Sequence, residues 1–376
     1  MPSERTAIGW TDATWSPTVG CTRVSPGCDN CYAFALHDAR HATNRAVRRA
    51  GDDVPWPAQY DLPFSTVQLF PKRLDWPLHW RGAKEAREAD PPRPSRIFVD
   101  SMADLFHEDV PDEFIDRVFA TMAICGAQRQ RCKARARCTH EDEPGCWRTG
   151  NADDEPRHIF QVLTKRPERM LAYLSAPDRR ERVLEVGNDP EWSVAWEEPY
   201  ELIASVGWPL SNVWLGVSVE DQPRADERIP LLLETPAAVH FVSAEPLLGP
   251  VDLAPWLVAP GPVTVTACSI DVDNPATAAA IADLAAAAAR KMGWTTLDWV
   301  IVGGESGPRF RPLEMAWVRS LREQCRAAGV AYFGKQTAAR RNEVPLPDDD
   351  AGEGLGLGDQ EFPCARVAGV SSSRVH

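Results

Sequence analysis

One pattern recurs through the chain and limits what it can fold into. An apolar run of strand length ends in polar or charged residues, and a helical segment follows. Arg96 to Val99 (RIFV) leads into Asp100-Ser101-Met102-Ala103-Asp104, and His158 to Leu163 (HIFQVL) leads into Thr164-Lys165-Arg166. Val213 to Val217 (VWLGV) leads into Ser218-Val219-Glu220-Asp221, and Ala238 to Val242 (AVHFV) into Ser243-Ala244-Glu245-Pro246. Trp299 to Val302 (WVIV) leads into Gly303-Gly304-Glu305-Ser306-Gly307, and Val330 to Phe333 (VAYF) into Gly334-Lys335-Gln336. Helices are predicted from Pro111, around Glu168 to Leu174, and toward Leu233. A further helix carries Trp317, Leu321 and Cys325 on one face. Strands alternating with helices imply βα units and a parallel sheet. Near-continuous apolar strands mean that both sheet faces are covered. A short strand within Ile8 to Val19 adds a further unit, and six or seven units favour a barrel over an open sheet. The expected fold is α/β, a TIM-like (βα) partial or full barrel of parallel strands with insertions.

Parallel units bring every strand's C-terminal end to one rim, where barrels carry their chemistry. Asp104, Lys165, Arg166, Ser218, Glu220, Glu245, Gly303, Gly304, Glu305 and Lys335 all stand at such ends and are expected to converge. Lys165 and Arg166 suit an anionic group such as phosphate.

The second constraint is Cys21, Cys28 and Cys31, spaced C-x6-C-x2-C around Pro26-Gly27 and followed at once by a Gly- and Pro-free helical run from Tyr32 to Ala50. Three thiolates close together form a soft, metal-avid corner. A structural zinc site normally has four protein ligands, and a cubane iron–sulfur cluster normally has four cysteines. Three cysteines on a cubane leave one iron open to a small molecule. A zinc knuckle with His37 or His41 as fourth ligand, and three reduced thiols without metal, are the other readings.

Ten cysteines without a secretory leader pattern point to a reducing, cytoplasmic setting. No run is long and apolar enough to suggest a membrane span. A formal charge of −13 speaks against a general nucleic-acid coat protein, though not against a local basic groove. Residues 1–336 are expected to form one barrel-like domain with two insertions. The first, 125–157, holds Cys125, Cys132, Cys138 and Cys146 among arginines, a candidate second metal site of zinc or iron–sulfur type, or free thiols. The second, 260–296, is Ala-rich. Residues 337–376 read as a loosely held tail.

The stretch Ile8-Gly9-Trp10-Thr11-Asp12-Ala13-Thr14-Trp15, the three cysteines, and Cys31-Tyr32-Ala33 resemble a phage and prophage three-Cys-motif family. Leu163-Thr164-Lys165-Arg166-Pro167, Gly303-Gly304-Glu305-Ser306-Gly307 and Lys335-Gln336 look like its other signatures. That family is assigned by its own likeness to radical S-adenosylmethionine (SAM) enzymes. The resemblance implies a [4Fe–4S] cluster on Cys21, Cys28 and Cys31, with SAM on the open iron. Gly303, Gly304 and Glu305 would contact the methionine amino group, and Ser218 and Glu220 the ribose. Asp104, Lys165, Arg166, Glu245 and Lys335 would line the substrate side. It further implies a radical reaction on a nucleotide or nucleic-acid base, an electron donor, room for a separate partner protein, and the host cytoplasm if phage-encoded. Radical SAM loops have three residues in the first gap and an aromatic before the last cysteine. Here the gap is six and Tyr32 follows Cys31, so a zinc-stabilised nucleic-acid-binding phage protein without catalysis stays open beside the enzyme. A metal-free enzyme acting through its carboxylates is the third alternative.

Overall fold

The computed structural model describes residues 6, 8–49, 57–89, 93–127, 158–187, 207–258 and 295–339. Cys132, Cys138 and Cys146, the arginines of the first insertion, the Ala-rich segment and the chain beyond Ala339 lie outside the described residues.

Seven strands form one sheet: β1 (Ala13–Trp15), β4 (Ser95–Val99), β5 (His158–Thr164), β6 (Val213–Ser218), β7 (Val239–Ala244), β8 (Trp299–Val302) and β9 (Ala331–Gly334), adjacent in that order. Every pairing between them is parallel. Two short strands, β2 (Thr18–Val19) and β3 (Gln68–Leu69), pair antiparallel beside it. The helices between strands include α1 (Tyr32–Arg49), α2 (Asp112–Ala127), α3 (Pro167–Leu174), α4 (Arg179–Gly187), α5 (Gln222–Glu234) and α6 (Met315–Ala328).

The sheet curls. Strands lie about 4.8 Å apart, so in a flat sheet β1 and β8 would stand about 24 Å from one another. Yet Trp10, just before β1, has its ring 6.2 Å from that of Trp299 on β8 and 6.5 Å from Phe241 on β7. The sheet is therefore a half-barrel, and Trp10 plugs the N-terminal end of its hollow. The inward Gln161 of β5 donates to the Trp10 carbonyl across 3.3 Å and fixes the plug. Asp12 anchors the same entry. Arg93 and Arg96 both donate to its carboxylate, and although burial alone would raise its pKa, they hold it well below the usual range.

Strand alternation sorts the core into two layers. Inward residues Phe98, Ile159, Trp214, Val239, Phe241, Trp299, Ile301 and Phe333 pack with Trp10 inside the curl. Their outward neighbours, Ile97, Phe160, Val162, Leu215, Val242 and Val300, pack under the helices. Helix α2 answers with Phe114, Ile115, Val118, Phe119, Met122 and Ala123 at 3.6-residue spacing. The predicted apolar runs and helices match these elements to within one or two residues. On α6 the fully buried face is Val318, Leu321 and Cys325, with Trp317 only partly covered.

Two expectations need correction. Cys125 belongs to α2 and is buried in the outer core, so it does not stand in an exposed insertion loop. The tail does not begin at residue 337: Ala339 donates to the Glu305 carbonyl and accepts from Gly307, which ties residues 337–339 to the β8 loop.

Candidate functional site

A cavity of about 220 Å³ opens at the C-terminal end of the half-barrel. Its floor is the aromatic inner layer, and its walls include Cys21, Cys28, Cys31, Asp100, Asp104, Lys165, Arg166, Ser218, Ser243, Glu245, Gly304, Glu305 and Lys335. The convergence follows from parity. In each strand the inward alternation that buries Trp214, Phe241 or Trp299 continues upward to Ser218, Ser243 and Gly303. Lys165, Glu245, Glu305 and Lys335 keep the same phase past their strand ends. Of the rim residues expected from sequence, Glu220 does not line the cavity; Gly303 sits beneath Glu245 and Lys335, where a β-carbon would lie 3.3 Å from Glu245 Cδ.

The cysteine loop is anchored at both ends. Gly20 has φ 109, and a β-carbon there would sit 2.4 Å from the Thr66 carbonyl oxygen, so only glycine lets the chain pass. The Gly20 amide donates to Met102 and the Cys21 amide to Phe64. At the other end a 3-10 turn over Pro26–Cys28 places Cys31 just before α1, where its carbonyl accepts from Ala35.

Two carboxylates from distant strands hold the middle of the loop. Glu220, past β6, accepts from the Gly27 amide at 3.2 Å and from Arg228 at 3.1 Å, fully buried. Glu305, past β8, accepts from Asn30 at 3.0 Å and from the Arg311 amide, Nε and Nη2. Arg311 also donates to the Pro26 carbonyl at 2.8 Å. Burial would raise the Glu305 pKa, but its bonds to Arg311 and Asn30 outweigh that and hold it low. The close approach at Gly304 is made by the protein itself: a β-carbon there would lie 2.2 Å from the Ala338 amide nitrogen.

Arg166 and Asp104 grip Cys21. Asp104 accepts from Thr164 Oγ1 (2.7 Å), the Lys165 and Phe106 amides, and Arg166 Nη1 (3.1 Å). Arg166 also donates to Glu108, to Thr22 Oγ1 (2.7 Å) and to Cys21 Sγ (3.7 Å). His107 Nδ1 accepts from the Asp109 amide, so its Nε2 carries the proton and donates to Thr22 Oγ1 at 2.8 Å. Burial pushes the Cys21 thiol up to about 12; Asp104 adds to this and Arg166 opposes it. The guanidinium of Arg166 is thus fully engaged by the protein's own groups.

On the opposite wall Lys335 pairs with Glu245. Among the described residues, Lys165 Nζ, Ser218 Oγ and Ser243 Oγ have no protein partner. Asp100 was missed by sequence reasoning. It follows β4 with φ 58, is 3% exposed, and accepts from the Thr18 amide and Thr18 Oγ1. Burial pushes its carboxyl up to about 8, with Asp104 adding to the shift and the Thr18 bonds opposing it. The signal was present, since Asp100 directly ends the RIFV strand. Asn30, His107 and Arg311 carried no comparable signal, being single polar residues in loops.

The three cysteines line one cavity and are free thiols. They fit a soft metal by donor chemistry, and the loop bearing them is held from both sides. Among the described residues no three His, Cys, Asp or Glu side chains are gathered around a single ion position. His37 and His41 do not line the cavity; they bond the Gln59 and Tyr60 carbonyls on another side of α1. Among the described residues no helix is long and apolar enough to cross a membrane.

Residues 5–131 and 149–358 match the model of a family described as "Protein of unknown function (DUF5131)", and the chain belongs to that family. No curated protein and no solved structure matches it.

Proposed function

From membership of an uncharacterised family and the geometry of this cavity, we propose an iron–sulfur enzyme of the radical SAM type. Cys21, Cys28 and Cys31 would hold a [4Fe–4S] cluster with one iron left for SAM. The observation that carries the reading is that three cysteines of one clamped loop face the same cavity as the strand-end groups of six other strands. The likeness to the phage and prophage three-Cys-motif family points the same way and carries the cytoplasmic setting with it. When bound, such a cluster supplies an electron for reductive cleavage of SAM, chemistry that belongs to the cofactor.

The chain's own residues have separable tasks. Glu220, Glu305 and Arg311 fix the loop that carries the thiols. Arg166 donates to Cys21 Sγ, and hydrogen bonds to ligand sulfurs are among the levers on a cluster's potential. The aromatic floor keeps water from the lower side of the cavity. Asp100 holds its carboxyl proton at neutral pH, facing the cavity.

Anaerobic reconstitution with iron and sulfide tests the reading. About four irons per chain, bound with a brown colour and lost when Cys21, Cys28 and Cys31 are replaced by Ser, together with SAM cleavage, are expected. A colourless protein carrying one zinc per chain and inert toward SAM would instead establish the zinc-stabilised nucleic-acid-binding module.

A further inference from the structure

The charges around the cavity nearly all cancel. Asp104 is bonded to Arg166, Glu245 to Lys335 and Glu305 to Arg311. Asp100 is bonded by Thr18 and is mostly protonated at neutral pH. Lys165 is what remains. It lines the cavity, half-buried, and among the described residues its ammonium has no partner.

Lys165 does not stand alone. Thr164 is the register partner of Val217, so Lys165 comes opposite Ser218, and Ser218 is itself paired in register with Ser243. All three are in inward phase, Ser218 on β6, Ser243 on β7 and Lys165 one residue past β5, and all three line the cavity. The row continues into Ile301 and Phe333, both apolar. Ser218 is 4% exposed and Ser243 2%, and neither hydroxyl bonds to another described residue. A lysine and two serines thus stand side by side in register, their backbones at strand spacing of about 4.8 Å, on a concave wall.

We propose that the row Lys165–Ser218–Ser243 is a subsite for the phosphate of a phosphorylated substrate. Three donors on a curved wall suit the three terminal oxygens of a phosphoryl group, whereas a carboxylate offers only two. Lys serves phosphate as a point charge, and hydroxyls supply direction. A site shielded from bulk water strengthens each of these contacts. The uncharged part of the same molecule would rest on Trp10, Phe98 and Leu163, which line the same cavity. The inference does not require a metal, so it stands or falls separately from the cluster.

The test is calorimetric titration of the full-length protein, before and after anaerobic reconstitution, with inorganic phosphate, adenosine 5′-monophosphate, adenosine and SAM. Binding of phosphate or of the monophosphate is expected to weaken at least about tenfold in Lys165→Met, the loss of one charge-assisted bond. Ser218→Ala and Ser243→Ala should each weaken it by a smaller factor, and Lys165→Arg should retain most of it. Adenosine binding should not change in Lys165→Met. Melting curves check that each variant is folded, and Ser218→Ala and Ser243→Ala carry the test if Lys165→Met is not. The proposal is overturned if neither phosphate compound binds, or if their binding is the same in wild type and in Lys165→Met, or in the two serine variants where Lys165→Met is not folded. It is also overturned if only SAM loses affinity in Lys165→Met, because the row would then serve the cofactor's carboxylate. Failure to load a cluster with phosphate binding intact would sink the enzyme reading and leave this one standing.

Discussion

Asp100→Asn should change how stability depends on pH, by an amount the structure sets. The folded carboxyl titrates at about 8, against about 3.9 in an unfolded chain. Between those values the folded state keeps a proton that the unfolded state has released. Stability therefore falls as pH rises through this window, by up to about 1.4 kcal/mol per pH unit for one proton. The contribution is full below about pH 4 and gone above about pH 8. Asparagine keeps the site and removes the titration. It tolerates the positive φ that Asp100 adopts. Thr18 Oγ1, now a donor to Asp100 Oδ2, can turn and accept from the new amide. Wild type should thus lose about 3 kcal/mol relative to the variant between pH 5 and pH 7. For 376 residues, an unfolding entropy of about 2.1 cal/mol/K per residue gives about 1.3 °C per kcal/mol, so the melting temperatures should diverge by roughly 4 °C over that interval. Calorimetric melts of metal-free protein at pH 5, 6, 7 and 8 measure this. A gap that stays constant across the series would mean that Asp100 does not carry a raised pKa, and would remove it as a proton-holding group in the cavity.

Two further substitutions probe the clamp on the cysteine loop. Glu305→Gln removes a charge bonded by Arg311 and Asn30 and should cost about 2 kcal/mol at pH 7. Because the Glu305 pKa is lowered in the fold, that cost should begin to shrink below about pH 4.3 and vanish as pH falls through the lower folded value, so melts at pH 7 and in acid check both size and sign. Gly304→Ala puts a β-carbon 2.2 Å from the Ala338 nitrogen. Backbone must move, so a loss of about 1–3 kcal/mol is expected, and an unchanged denaturant midpoint would show that residues 337–339 do not cross there.

The barrel was legible because its signal is local. Each apolar run buries both faces, and each ends at the same rim whatever its neighbours do. The plug that fills the curl was not, because it depends on Trp10 reaching Phe241 and Trp299 across several strands. Composition at the strand ends located the cavity lining correctly. It could not say which groups the protein uses for itself. Arg166 and Glu305 look like ligand contacts in sequence, yet their polar atoms are engaged by Asp104, Thr22, Asn30 and Arg311. Lys165 looks no different from Arg166, yet among the described residues its ammonium has no partner. Commitment of this kind is a property of three-dimensional pairing, with partners up to 275 positions away.

That division makes Arg166 the sharpest remaining test of the loop. Its planar fork reaches Glu108 through Nε, Asp104 and Cys21 through Nη1, and Thr22 through Nη2. Lysine keeps the charge but has one nitrogen and no fork, so Arg166→Lys can satisfy Asp104 or Thr22 but not both together with Cys21. Asp104 would keep its bonds from Thr164 and two amides, so the buried carboxylate is not stranded. The expected loss is therefore about one or two charge-assisted bonds, roughly 2–4 kcal/mol, well short of unfolding. The local effect should be larger than the global one. Freed from Arg166, Cys21 and Thr22 can leave the wall, and alkylation of Cys21 by a neutral maleimide should accelerate more than that of Cys28 or Cys31, read by peptide mass mapping. If all three cysteines react in Arg166→Lys as they do in wild type, Arg166 does not hold the loop. Its position beside Cys21 would then call for a role toward a ligand after all.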